Sequence, residues 1–176
     1  MVKSLNREKL LDVLTERLTF EREGVQLYDT IIAKMEDSRE TEVRRMLDRM
    51  REHRQQEKEH EEWLEEQVRR LGGTAHERTE HSILVETESR GIEEVVQNDR
   101  QIPHLFHALL NAELVDNAGW DLLMRIAEEA GDREAAKEFK KRLFEEQEHL
   151  LYVKSALEAF TRRDVLGESL SLPTQP

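Results

Sequence analysis

Four stretches of this chain carry apolar side chains at alternating three- and four-residue steps, and each stripe is interrupted near its middle by side chains that burial should exclude. The first reads Leu11, Leu14, Leu18, Glu21, Val25, Tyr28, Ile32, Met35. The second reads Val43, Met46, Met50, His53, Glu57, His60, Leu64, Gln67, Leu71. The third reads Phe106, Leu110, Glu113, Asn117, Trp120, Met124, Ala127, and the fourth Ala135, Phe139, Arg142, Glu146, His149, Val153, Ala156, Phe160. These steps put every member of a stripe on one face of an α-helix. Four such faces bury themselves by turning toward one another, which predicts an all-α fold.

Local signals set the boundaries. Ser4 or Asn6 can cap the first helix, which should run to about Met35. Asp37-Ser38-Arg39 then makes a short turn, and the second helix should span residues 40–71 before Gly72-Gly73 ends it. Residues 72–102 lose the stripe pattern. They read as a long crossover with one short helix around Ser89 to Gln97. Pro103 suits the first turn of a third helix that runs to about Ala130. Gly131-Asp132 is a tight turn into a fourth helix ending near Arg163. Short turns imply antiparallel neighbours, so the expected organisation is two antiparallel hairpins joined by one long crossover. This is the ferritin-like variant of the four-helix bundle. One domain is expected over residues 1–163, followed by a flexible tail over 164–176.

Composition narrows the partners. The chain has 176 residues, a length suited to one domain, and carries a net charge of −12. Nucleic acid and anionic membrane surfaces need a positive footprint and are not expected partners. There is no Cys, which excludes thiolate metal sites, iron–sulfur clusters and thiol redox chemistry in the chain. The N-terminal stretch is charged and amphipathic, without an apolar run of signal-peptide type. A cytoplasmic location is the default expectation.

The interrupting residues repeat. Glu57-Lys58-Glu59-His60 and Glu146-Gln147-Glu148-His149 each place Glu and His three residues apart. Each follows a helix with a lone Glu and an aromatic residue seven positions on: Glu21 with Tyr28, and Glu113 with Trp120. A Glu-x-x-His pair alone is weak evidence in so acidic a chain. Position makes it strong, because all six residues fall on core stripes. A buried carboxylate without a partner costs several kcal/mol, and four facing one core repel unless protonated or neutralised by cations. Two divalent metals would neutralise them. Register agrees: Glu21, Glu57, Glu113 and His149 each lie about 17 or 18 residues from the turn of their hairpin, which places them at one height. Oxygen-rich sets with one imidazole per ion suit iron or manganese, and zinc is also possible.

With FEREGVQLY around Glu21, EKEHEEW around Glu57, NAELVDNAGW around Glu113 and FEEQEHLLY around Glu146, the chain resembles the ferritin-like superfamily of di-iron carboxylate proteins, most closely the rubrerythrin branch. The resemblance covers most of residues 5–160. It implies two iron ions bridged by Glu57 and Glu146, with Glu21 and Glu113 as terminal ligands and His60 and His149 binding one metal each. Asp116 stands where rubrerythrins carry an extra carboxylate, and is either a seventh ligand or a neighbour of the ligands. Trp120 replaces a Tyr. Tyr28 is expected to hydrogen-bond a carboxylate of the opposing pair. His53 and Arg142, one turn before each Glu-x-x-His, either orient the carboxylates or sit in an ordinary solvated position. Without Cys the chain cannot hold a rubredoxin iron, so electrons would come from an external donor or from ferrous iron. The implied activity is that of an oxidoreductase acting on dioxygen or hydrogen peroxide, of ferroxidase or peroxidase type, in a homo-oligomer. The alternatives are a non-catalytic metal-binding or iron-storage protein, and an oxidase or hydroxylase of an organic substrate.

Overall fold

The computed structural model describes residues 6–173. Four of its helices are long: α1 (Arg7–Glu36), α3 (Leu47–Arg70), α6 (Ile102–Ala130) and α7 (Arg133–Leu166). Three are short: α2 (Thr41–Arg45), α4 (Glu80–Glu88) and α5 (Arg90–Asn98). Among the described residues all regular structure is helical.

The ends follow local chemistry. The Asn6 side chain accepts from the Lys9 amide at 3.2 Å and starts α1; Ser4 lies outside the described residues. Asp132 accepts from the Ala135 amide at 3.0 Å and starts α7. Gly131 and Gly167 close α6 and α7 with φ of 78° and 69°, a left-handed conformation that a Cβ disfavours.

Residue contacts set the topology. Tyr28 meets His53 and Arg22 meets Glu61, so α1 and α3 run antiparallel. Trp120 packs on Phe139 and Phe106 on Phe160, so α6 and α7 do too. Tyr28 reaches Glu113 and Trp120 reaches Glu21, so α1 is also antiparallel to α6. Helix α6 therefore runs parallel to α3, and the chain between them must return along the length of the pair. Helices α4 and α5 make that return, packed on α1 and α6. Lys34 pins the end of this path by donating to the carbonyls of Gln97 at 2.9 Å and Asp99 at 2.6 Å, as a basic side chain does at a helix C-terminus.

Three expectations need correction. The second helix is not continuous over 40–71: α2 ends in a tight turn at Met46, whose amide bonds the Val43 carbonyl, before α3 begins. Burial of Val43, Met46 and Met50 together anchors that turn. The crossover holds two helices rather than one. The unforeseen α4 is started by a reciprocal Thr79–Ser82 cap and buries only Ser82 and Val85, too few positions for a legible stripe. Finally, α7 continues to Leu166, and the segment after it folds back: Leu172 is buried in the core and Glu168 pairs with Arg162 at 2.9 Å.

The apolar core is split in two. One cluster contains Met35, Met50, Phe106, Val153 and Phe160; the other contains Leu14, Leu18, Leu64, Trp120 and Phe139. A belt of buried polar side chains separates them. None of the described helices is long and apolar enough to cross a membrane. Phe160→Ala, which empties a fully buried ring site, should cost about 3–5 kcal/mol in urea unfolding of the metal-free protein.

Candidate metal centre

The belt is built by all four long helices. Glu21 comes from α1, Glu57 and His60 from α3, Glu113 from α6, and Glu146 and His149 from α7. Within each Glu-x-x-His the three-residue step stacks both side chains on one helix face. Donor atoms of Glu21, Glu57, His60 and Glu146 all lie within 4.8 Å of one another, and so do those of Glu57, Glu113, Glu146 and His149. Glu57 and Glu146 belong to both groups. All six side chains are buried. The six residues singled out in the sequence are thus brought together, as two sets of four with a shared pair.

Both imidazoles turn Nδ1 toward the carboxylates. His60 Nδ1 lies 2.7 Å from Glu146 Oε1 and 3.5 Å from Glu21 Oε2. His149 Nδ1 lies 3.1 Å from Glu57 Oε1 and 3.2 Å from Glu146 Oε2. The outer nitrogens are held across the helix pair: His60 Nε2 by Glu145 Oε2 at 2.9 Å, and His149 Nε2 by Gln56 Oε1 at 2.7 Å. An acceptor on Nε2 favours the tautomer with its proton there and leaves the Nδ1 lone pair free for a cation.

The lone glutamates are braced in the same crossed manner. The Tyr28 hydroxyl donates to Glu113 Oε1 at 2.5 Å, as expected, and the Trp120 indole donates to Glu21 Oε1 at 3.0 Å. The indole of Trp120 thus braces Glu21 as the phenol of Tyr28 braces Glu113. Gly24 packs against Glu57, where an added Cβ would stand 2.8 Å from Oε2.

Asp116 joins neither donor set. It is ion-paired at 3.1 Å with Arg17, a buried guanidinium that also lies 3.9 Å from Glu21. Arg17 fits because α6 has Gly119 there; an added Cβ would stand 1.8 Å from its Nη1. His53 stacks on His149 at 4.2 Å between ring centroids and faces Tyr28 and Tyr152 edge-on. Burial, together with the neighbouring His149 and Arg49, pushes it down to about 2, so it is a neutral ring. Arg142 turns away from the ligand carboxylates, bonding Glu138 and lying 3.8 Å over the Trp63 ring.

The electrostatics are those of an overcrowded anionic site. Burial, reinforced by the neighbouring carboxylates, holds Glu57 and Asp116 well above the usual range. Burial likewise raises Glu113 to about 8 against the pull of His149. Burial opposes a charge on Glu146 as well, but His149 and His60 overcome it and hold this carboxylate low. Burial also opposes protonation of His60, yet Glu145, Glu146 and Glu21 keep its proton on well above the ordinary value. In the absence of cations, protons are what relieve the repulsion.

Ligand-type atoms are left over. Glu21 Oε2, Glu113 Oε2, both Glu146 oxygens and His60 Nδ1 are buried without an aligned hydrogen-bond partner. An unsatisfied buried polar atom costs roughly 1–3 kcal/mol. Their convergence on two points fits a pair of metal ions. No protein-family model, curated protein sequence or solved structure matches the chain, so the chemistry of the centre rests on its own residues.

Sequence reasoning missed Arg17, Gln56 and Glu145. Gln56 and Glu145 had a signal: each immediately precedes the Glu of a Glu-x-x-His. Arg17 had only its place one turn before Glu21.

A pH dependence follows for the metal-free protein. An unfolded Glu113 loses its proton near 4.5, whereas the native one keeps it to about 8. His60 acts in the same direction, because the native imidazole stays protonated above 6.5. His53 acts the other way below 6.5, because only the unfolded ring gains a proton there, but the raised Glu57, Glu113 and Asp116 carboxyls outnumber it. The native state thus binds more protons across this window, and its stability falls as pH rises. Glu146 contributes fully above 4.5 and does not alter the slope there. The urea midpoint of chelator-treated protein should fall from about pH 5.5 to about pH 8, and Glu113→Gln should flatten the decline; a midpoint that rises over this range contradicts the assignment.

Proposed function

We propose that this chain is a ferritin-like four-helix bundle of the rubrerythrin-like branch, holding two iron or manganese ions and acting on dioxygen or hydrogen peroxide. The supporting observation is the pair of buried donor sets that share Glu57 and Glu146. Charge supports the same stoichiometry. The four ligand glutamates and Asp116 can carry five negative charges, Arg17 returns one, and two divalent cations would return the other four. Each position offers carboxylate oxygens and one imidazole, a set suited to iron or manganese.

In this reading Glu57 and Glu146 would serve both ions, with Glu21 and His60 completing one donor set and Glu113 and His149 the other. A di-iron pair would supply Lewis acidity and electrons to dioxygen or peroxide. Tyr28 and Trp120 hold the terminal carboxylates in place, and the two apolar clusters exclude bulk water from both ends of the belt. A cavity of about 440 Å³ opens near the α6–α7 turn and is lined by Leu14, Trp63, Leu123 and Phe139, with none of the six ligands among its walls. Trp120 stands between this cavity's aromatic wall and His60. That separation favours small reactants over an organic substrate. Reducing equivalents would come from ferrous iron or an external donor, because the chain has no Cys.

Metal analysis after iron-supplemented expression should find about two ions per chain, with marked loss in Glu57→Ala and His149→Ala. Bound ferrous iron should be oxidised with turnover under oxygen or peroxide. Near-zero metal in the wild type ends the proposal, and a site that fills but never turns over removes its catalytic half. Gly24→Ala should keep the helical fold yet lower metal content, because its new methyl group displaces the tip of Glu57. Circular dichroism beside metal analysis checks both parts.

A further inference from the structure

The two halves of the centre are near copies, and the struts behind the imidazoles are one place where the copies differ in charge. Gln56 and Glu145 occupy the same position in the repeat, directly before Glu57 and Glu146. Each reaches across the α3–α7 pair to the histidine of the other helix. The geometry is the same on both sides: a side-chain oxygen 2.7 or 2.9 Å from Nε2, with Nδ1 turned to the carboxylates. The acceptors are not the same. Behind His149 stands a neutral amide; behind His60 stands a carboxylate.

A hydrogen bond to an ionised acceptor is roughly twice as strong as one between neutral groups. It pulls the Nε2 proton outward and makes Nδ1 the better electron donor. Glu145 is well placed for this role. It is only partly exposed, and Lys141 lies 3.6 Å from its other oxygen, which supports the ionised form. Arg17, the cation that opposes the effect on the His60 side, stands closer to Asp116 at 3.1 Å than to Glu21 at 3.9 Å. The remaining braces match, since Trp120 holds Glu21 as Tyr28 holds Glu113.

We propose that the two cation positions are unequal: Glu145 makes the one formed by Glu21, Glu57, His60 and Glu146 the tighter, first-filled position, and Gln56 leaves the one formed by Glu57, Glu113, Glu146 and His149 weaker and more exchangeable. Glu145 and Gln56 are positioning residues, acting through the imidazoles they hold. The inference rests on the two-metal reading of the centre. Its consequence is that a singly loaded protein has its ion on the His60 side, and that the second ion is gained last and lost first.

The test is a titration of metal-free protein with Co²⁺, followed by calorimetry and by nuclear magnetic resonance of the imidazole Nε2 protons. The wild type should take up two ions in steps separated by about tenfold or more, the scale on which an outer hydrogen bond to a ligating histidine alters affinity. At one equivalent the His60 resonance should move before that of His149. Glu145→Gln should weaken the first step and bring the two together, Gln56→Glu should tighten the second, and the double exchange should reverse the order of filling. Both single changes are close to isosteric, and Gln56→Glu reads a gain, which misfolding does not mimic. Two equal steps in the wild type, or a step ratio unmoved by both exchanges, overturns the inequality while leaving the dinuclear centre standing. Uptake of no more than one ion overturns the dinuclear reading itself.

Discussion

Everything in this structure is arranged around the cost of gathering carboxylates inside a helical core. Glu21, Glu57, Glu113 and Glu146 meet at one level where water is excluded, and Asp116 lies beside them. In such a place an uncompensated charge costs more than most single apolar contacts return. The apolar core accordingly divides into two clusters, one on each side of the belt. The length of the four main helices lets both clusters form with the charged level between them.

The belt is stabilised by crossed bracing. No histidine or lone glutamate of the centre is held only by its own helix: Tyr28 on α1 holds Glu113 on α6, Trp120 on α6 holds Glu21 on α1, and α3 and α7 exchange Gln56 and Glu145 in the same way. Each brace gives its side chain one fixed orientation and couples the two hairpins. The near two-fold relation of the halves is broken by one buried ion pair. Arg17 and Asp116 occupy positions whose repeat counterparts are Leu109 and Gly24. That pair adds no net charge but makes one side of the centre polar where the other brings the Gly24 backbone close to Glu57.

Much of this was legible along the chain. The stripes located three of the four long helices to within a few residues, and missed only the break at Met46 before α3, because a three-four step has one structural meaning over about six or more turns. The six ligand candidates were legible for the same reason, as charged members of apolar stripes. Where the pattern was short, reading failed: α4 buries two side chains, and the return of Leu172 to the core depends on a single residue. Asp116 shows a different limit. The resemblance left it either a seventh ligand or a neighbour of the ligands; in the fold it pairs with the guanidinium arriving from α1 and belongs to neither donor set.

The sequence by itself determined the all-helical fold class, the two repeated hairpins and the identity of the side chains that would share one buried level, since all of these follow from spacing within single helices. The tertiary structure decided the rest: that both imidazoles face inward through Nδ1, and that Arg17, Gln56 and Glu145 belong to the centre. Those are relations between residues on different helices. They depend on the rotation and height at which the helices pack, which no spacing along one helix specifies.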